Sequence, residues 1–495
     1  MKETIFKILE NKIKGKVNYS KNFREFYSLD ASSYQVIPKI VVIPENDEDV
    51  INTIKIAKKF KIGVTPRGGG TGLVGSALNR GIILDMKNFD SCKIKQNHVE
   101  VGTGISKGFL DKKLKNKGKF FPPNPSIGMF CTIGGMLGNN SSGSKSLKYG
   151  SVIDNISEIT FVDGRAKKIT LPGDENQHIK KILKIAKKID KSKIPKVTKN
   201  SSGYRLDKVE KLSDIYKTII GSEGTLGIIL SVKLKIKDIP KQRILFITGY
   251  NSERNASKEC LSIIKTKPTA LEYVDRNTIK KVNLELGEKF KSFLFVEYDS
   301  EIQSKKSKFK DAIKKGAIIK EIKKEKEISQ WWQYRDSSLH YSLKSIKKEQ
   351  QIPHVIEDAA VPLEKLPALF ETVNKINKRY NTRSIAYGHA GNGNIHVRLI
   401  ADRKNTKMIK KIAIEYFDEI IKMRGTITAE HGDGLARSEF IKKQYGAKNY
   451  RLFTEVKKIF DPYNILNPDK IITDHSTVIK NMQETFVNEH KKKTD

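Results

Sequence analysis

Cysteine is scarce, with three in 495 residues: Cys92, Cys131 and Cys260. An odd, widely spaced set builds no disulfide framework and no zinc or iron–sulfur spacing. A reducing, cytoplasmic setting is therefore expected. Long apolar runs are also missing. The longest, such as Ile40 to Ile43, fall far short of the roughly 20 residues that cross a bilayer. Met1 to Lys16 alternates Ile, Leu and Phe with Lys and Glu, so no apolar core of signal-peptide type is present. Acidic residues are outnumbered, 56 Asp and Glu against 94 Lys and Arg, for a net charge of +38. The surplus is spread along the whole chain instead of gathering in a basic arm, and no aromatic-interleaved RNA motif accompanies it. It reads as a solvated basic surface. Nucleic acid is not an expected partner, whereas a peripheral contact with an anionic membrane stays open.

What is present points to several units, since 495 residues exceed one ordinary core. Residues 1–35 read as a helical lead-in. From Val36, short β-branched runs (Ile40 to Ile43, Ile82 to Leu84, Val99 to Val101, Ile159 to Val162) alternate with helices such as Asp47 to Lys61. This stretch, 36–237, closes at Ile239-Pro240, because proline restricts the residue before it. Residues 241–425 mix strands (Ile244 to Gly249, Ser292 to Tyr298, Ile395 to Ile400) with Lys-rich helices. A segment 426–472 and a charged tail 473–495 follow. The fold class expected is α+β.

Small residues cluster in three places. The first is Pro66-Arg67-Gly68-Gly69-Gly70-Thr71-Gly72-Leu73. Its continuation, Gly70-Thr71-Gly72-Leu73-Val74-Gly75, matches the dinucleotide fingerprint G-x-G-x-x-G literally. That fingerprint requires a following helix, and only Ser76 to Arg80 separates Gly75 from Gly81 and the next strand. A Rossmann unit does not fit. What remains is either a plain loop or a nest of exposed N–H groups for an anion. The second cluster runs from Pro122-Pro123-Asn124-Pro125-Ser126 through Thr132-Ile133-Gly134-Gly135 to Asn139-Asn140-Ser141-Ser142-Gly143 and Tyr149. The third is Gly221-Ser222-Glu223-Gly224-Thr225-Leu226-Gly227, before a strand from Ile228. Small polar residues where a core wants bulk make sense if a ligand supplies the missing volume.

Histidines converge elsewhere. Gly388-His389-Ala390-Gly391-Asn392-Gly393-Asn394-Ile395-His396 reads as two strands joined by an Asn-Gly turn. Glu430-His431-Gly432-Asp433-Gly434 follows a β-type run, Thr426 to Thr428. His389, His396 and Glu430 make either a three-ligand divalent site with open positions or a structural pair beside a turn.

In this order, the motifs resemble the FAD-binding domain shared by vanillyl-alcohol oxidase and p-cresol methylhydroxylase. They are most similar to its D-2-hydroxy-acid dehydrogenase branch, which includes glycolate oxidase, D-lactate dehydrogenase and D-2-hydroxyglutarate dehydrogenase. The resemblance spans about residues 36–472. It implies a two-part FAD-binding domain, a substrate (cap) domain over 241–425, and a C-terminal segment returning to the flavin. Pro66 to Leu73 would hold the FAD pyrophosphate. Pro123, Ser126, Thr132, Gly134, Gly135, Asn139, Ser142, Gly143 and Tyr149 would line the adenine and ribityl path. Glu223, Gly224 and Ile228 would close over the adenosine part, and Asn467 would return from the C-terminus. Thr71 stands where some relatives tether FAD through histidine, so FAD is expected to be non-covalent.

By the same resemblance, His389, His396 and Glu430 would bind a divalent metal, Zn or Mn. His431 would be the proton-abstracting base and Arg335 would bind the substrate carboxylate. Asp358 would be a supporting residue. The implied activity is FAD-dependent oxidation of D-lactate, glycolate or D-2-hydroxyglutarate to the 2-oxo acid. Electrons would leave to a quinone, a cytochrome, an electron-transfer flavoprotein or a partner iron–sulfur subunit. Two departures stand out. Asn392 replaces the family's usual Asp. Arg398 replaces a frequent Asn, and either reaches a second carboxylate or phosphate or is an exposed strand residue. The same fold would also serve an alkylglycerone-phosphate-synthase-like transferase or a sugar-lactone oxidase.

Overall fold

Residues 244–250 and 292–298 are nearly continuous apolar runs, and every residue in both strands is buried. In the computed structural model, which describes residues 2–480 and 482 apart from 175, 283, 339, 341–343, 345, 403 and 404, the reason is a sheet covered on both faces. Successive strand side chains point to opposite faces. Ile244, Phe246, Leu294 and Val296 join one core with the helices Glu253–Ile263, Leu366–Tyr380 and Thr406–Lys422. Leu245, Ile247, Phe293 and Phe295 join a second core with Trp331 and Trp332 of helix Glu325–Asp336. The sheet has seven strands. Its order is Ala317–Ile322, Ile244–Tyr250, Ser292–Tyr298, Ala270–Asp275, Arg383–His389, Asn394–Asp402 and Gln350–Gln351.

The N-terminal half holds two smaller sheets and a two-stranded pair, Lys119–Phe120 with Lys237–Asp238. Ile40–Ile43, Ile82–Asp85 and Val64–Arg67 run parallel. Helix Asp47–Phe60 makes the first crossover. Asn46 caps it by accepting the Asp49 N–H at 3.0 Å, and three acids complement its positive end. Between Val64–Arg67 and Ile82–Asp85 the chain forms no helix. That is the geometry the short spacing after Gly75 requires. The second sheet is antiparallel, in the order Cys92–Ile94, His98–Gly102, Ile228–Lys235, Ile156–Val162, Lys168–Leu171.

Two expectations change. The lead-in is not only helical: after helix Lys2–Lys12, strand Lys16–Asn18 adds an antiparallel edge to Ile40–Ile43. The Asp49 carboxylate fastens it by accepting the Lys14 and Gly15 N–H groups. Thr426 to Thr428 forms no strand either. Thr426 makes a single bridge to Ala360, and the chain then turns.

After that turn, helix Ile441–Phe460 packs into the core of the second N-terminal sheet through Tyr445, Phe453 and Phe460. The chain then lies beside Val64, whose N–H bonds the Ile465 carbonyl and whose carbonyl accepts the Asn467 N–H. The C-terminus thus returns to the first sheet. The charged tail beyond residue 482 lies outside the described residues.

Candidate active site

The three glycine-rich segments meet on one cavity of ≈ 300 Å³. Its wall includes Pro66, Arg67, Gly68, Gly69, Gly70, Thr71, Gly72 and Leu73 from the first, and Ser126, Thr132, Gly134, Gly135, Asn139 and Gly143 from the second. Glu223 and Gly224 come from the third. The glycines are needed for close approach. A side chain on Gly68 would collide with Thr132 Oγ1, and one on Gly69 would lie 2.6 Å from the Phe130 carbonyl. A side chain on Gly72 would meet nothing closer than Ser76 Oγ at 3.5 Å, an ordinary contact. The loop is packed behind and bare in front, so this cradle fits a phosphorylated cofactor.

Five expected cofactor residues do not line the cavity. Pro123 is buried behind it. Ser142 donates to Glu430 Oε2. The Tyr149 hydroxyl donates to Asp299 Oδ2 at 2.6 Å and ties the helix beside the second segment to the seven-stranded sheet. Ile228 is core. Asn467 accepts from Thr65 at 2.7 Å and donates to the Ser76 and Glu223 carbonyls at 2.9 and 2.6 Å, bracing the loops from behind.

The same cavity continues to Arg335, His389, His396, Arg398, Glu430 and His431. His389 ends one strand and His396 lies early in its hairpin partner. Their rings are 5.2 Å apart, and both Nε2 atoms point at Glu430 Oε1, at 2.7 and 3.4 Å. Glu272 Oε1 takes the other His389 nitrogen, Nδ1, at 2.8 Å. With the Nδ1 proton donated to Glu272, His389 Nε2 and Glu430 Oε1 are two electron-pair donors facing each other. A proton or a cation must reconcile them, and a carboxylate behind a ligating histidine is the usual support of a metal site.

Burial would raise the Glu430 carboxyl, but His389 and Lys199, whose Nζ lies 3.0 Å away, hold it well below the ordinary carboxylate range. Burial pushes His396 down to about 4, which keeps it neutral, as a ligand must be. Asp358, His396, Glu430 and His431 also bring ligand atoms within 4.8 Å of one another. In that second grouping, however, Asp358 Oδ2 is committed to the backbone N–H groups of Ala429, Glu430 and His431 at 2.8–3.0 Å. It shapes the turn that presents Glu430 and His431. His389 stands outside that grouping, and its Nε2 meets Glu430 Oε1 at 2.7 Å.

His431 stacks on His396 at 4.9 Å. Its Nδ1 lies 2.8 Å from Glu357 Oε1, leaving Nε2 for the cavity. Burial works against a charged ring, but Asp358 and Glu357 outweigh it and lift the His431 pKa above the ordinary value. Arg335 is paired with Glu272 and Asp336, and its Nε has no partner. Arg398 is buried, not an exposed strand residue. Asn392 touches none of these ligands. It accepts from Ser146 at 2.9 Å and donates to Thr198 at 2.8 Å, pinning the histidine turn to the N-terminal half. Sequence reasoning missed Glu272, Glu357 and Lys199. Glu272 had a signal, being an acid between Leu271 and Tyr273 in the middle of a buried strand, Ala270–Asp275.

Residues 38–171 match the FAD binding domain family, and residues 239–471 match the family of FAD linked oxidases, C-terminal domain. The chain is 27% identical to glycolate oxidase subunit GlcD of Bacillus subtilis, over 90% of this chain and 92% of that one. It is 27% identical to the mitochondrial D-lactate dehydrogenase [cytochrome] of Arabidopsis thaliana, over 89% and 74%. It is 26% identical to D-2-hydroxyglutarate dehydrogenase of Pseudomonas putida, over 93% of this chain but 51% of that longer one. Among solved structures it resembles an alkyldihydroxyacetonephosphate synthase, with TM-score 0.69 and 17% identity over 94% and 86% of the two chains. It also resembles BBE-like 1 of Physcomitrella patens, with TM-score 0.62 and 16% identity over 95% and 99%. These two share its fold. Among the described residues, no helix is long and apolar enough to cross a membrane.

Proposed function

This chain belongs to the FAD-linked oxidases and is an FAD-dependent oxidoreductase, and on that premise we propose that it oxidises a D-2-hydroxy acid to the 2-oxo acid. The observation that carries the reading is the shared cavity: glycine cradle at one end, His389, His396, Glu430 and His431 at the other. The names of the relatives, which concern glycolate, D-lactate and D-2-hydroxyglutarate, support the substrate class.

FAD bound non-covalently against residues 66–73 and 223–224 supplies the electron-pair acceptor. A divalent ion held by His389, His396 and Glu430, Zn or Mn, would lower the pKa of the substrate hydroxyl. His431 takes the hydroxyl proton at Nε2. Glu357, across Nδ1, fixes the ring and stabilises the imidazolium that forms. Arg335 orients the substrate carboxylate with the donors its ion pairs leave free, Nε among them. In this reading residues 36–237 form the FAD domain, 241–425 the substrate domain, and 426–472 the segment that carries Glu430 and His431 back to it. The acceptor of its electrons would be a quinone, a cytochrome, an electron-transfer flavoprotein or a partner iron–sulfur subunit.

The test of the base is His431→Ala. Flavin reduction in a single turnover should slow by about 10²–10⁴-fold, the usual contribution of a placed base. An undiminished rate at unchanged flavin content would remove His431 from this role.

A further inference from the structure

We propose that Arg398 is a second anion clamp, and that the substrate carries a carboxylate or phosphate beyond the carboxylate at C1. The inference rests on the hydroxy-acid reading above and narrows its substrate class.

Arg398 lies two residues after His396 on strand Asn394–Asp402, so both side chains point to the same face of the sheet and both line the cavity. The residue is 2% exposed. Nε donates to the Tyr387 hydroxyl at 3.1 Å. Nη1 approaches Glu357 Oε2 at 3.1 Å, yet the two are misaligned, and neither atom has a hydrogen-bond partner. Buried charged donors are normally matched, and an unmatched one is costly unless something enters to meet it.

Glu357 is the counter-charge Arg398 has in this structure, and it is shared. Its other oxygen already takes Arg437 Nη2 at 2.7 Å and His431 Nδ1 at 2.8 Å. One carboxylate therefore faces two guanidiniums and two imidazoles, with His396 Nδ1 3.7 Å from Oε2. Arg335 is the converse case, held by Glu272 and Asp336. The two guanidiniums stand 5.8 and 5.7 Å from the ring of Tyr387. Two guanidiniums lining one cavity beside the same aromatic ring match a ligand with two anionic groups. For D-lactate or glycolate, which have one, the Arg398 fork would stay unmatched.

The probes are pyruvate with one anionic group, 2-oxoglutarate with two carboxylates, and 3-phosphohydroxypyruvate with a carboxylate and a phosphate. Each is titrated into the oxidised flavoprotein and read by the shift in flavin absorbance. At least one dianion should bind about 10–100-fold tighter than pyruvate, the range of a charge-assisted hydrogen bond. The stronger of the two identifies the second group. In Arg398→Asn the ratio of dissociation constants should fall toward one. Arg398→Lys, which keeps the charge, should retain most of it. Flavin content shows that both variants are folded. Equal binding of pyruvate and both dianions, or a ratio unchanged in Arg398→Asn, would overturn the clamp. Failure of the hydroxy-acid reading looks different: no D-2-hydroxy acid bleaches the flavin, while the dianion preference and its loss in Arg398→Asn persist and still support the clamp.

Discussion

Glu272 does two jobs, accepting from His389 Nδ1 with one oxygen and pairing Arg335 with the other. Glu272→Gln keeps the volume and removes the charge. If His389 is a metal ligand, the variant should bind divalent ions about 10–100-fold more weakly, as measured by competition with a chelator. Unchanged affinity would remove His389 from the ligand set. At this scale the sequence was legible for histidines and glycines, whose chemistry is specific to the residue type. It was not legible for Tyr149, whose hydroxyl meets Asp299, 150 residues away. Glu357 escaped for the same reason: its partners His431 and Arg437 arrive from another part of the chain.

Elements follow the same divide. Ser292–Tyr298 was readable end to end because an apolar run has one meaning in a covered sheet. Lys16–Asn18 was not, since three residues with a single apolar side chain carry no period. Thr426 to Thr428 has β-branched residues, yet Asp358 captures the N–H groups that follow and bends the chain away. The returning segment offers the sharpest test among the elements. Asn467 connects Thr65, the Ser76 carbonyl and the Glu223 carbonyl. Asn467→Ala would strand buried groups at about 1–3 kcal/mol each. Urea unfolding should show a loss of at least that order, together with weaker FAD retention, although Asn467 itself does not line the cavity. Wild-type stability would mean that the segment is not a brace.

Across the whole molecule, the cavity is closed by parts distant in sequence, and Glu223 is the hinge of that closure. Its carboxylate accepts the Asp433 and Gly434 N–H groups, joining the third glycine segment to the turn that presents Glu430 and His431. Burial, and then the charge of Asp433, raise its pKa above the usual carboxylate value, and burial raises Asp433 likewise. An acid with a raised folded-state pKa binds its proton more readily when folded. Its contribution to stability is present below the unfolded value of about 4 and is lost as pH rises through the raised one. Thermal unfolding of the flavin-free protein should therefore weaken with rising pH above about 4.3 more steeply than that of Glu223→Gln. Parallel curves would contradict the assignment.

The two-part architecture was legible from the order of the motifs. The way helix Ile441–Phe460 packs into the N-terminal core was not, because no local pattern records which core an amphipathic helix joins.

The central claim is that one cavity binds flavin at one end and a D-2-hydroxy acid at the other. The direct measurement is anaerobic mixing of the purified flavoprotein with matched D- and L-2-hydroxy acids, following flavin absorbance. Bleaching by a D-acid and not by its L-enantiomer is the predicted result. A yellow protein that no 2-hydroxy acid reduces, or a protein that takes up no flavin, would contradict the account.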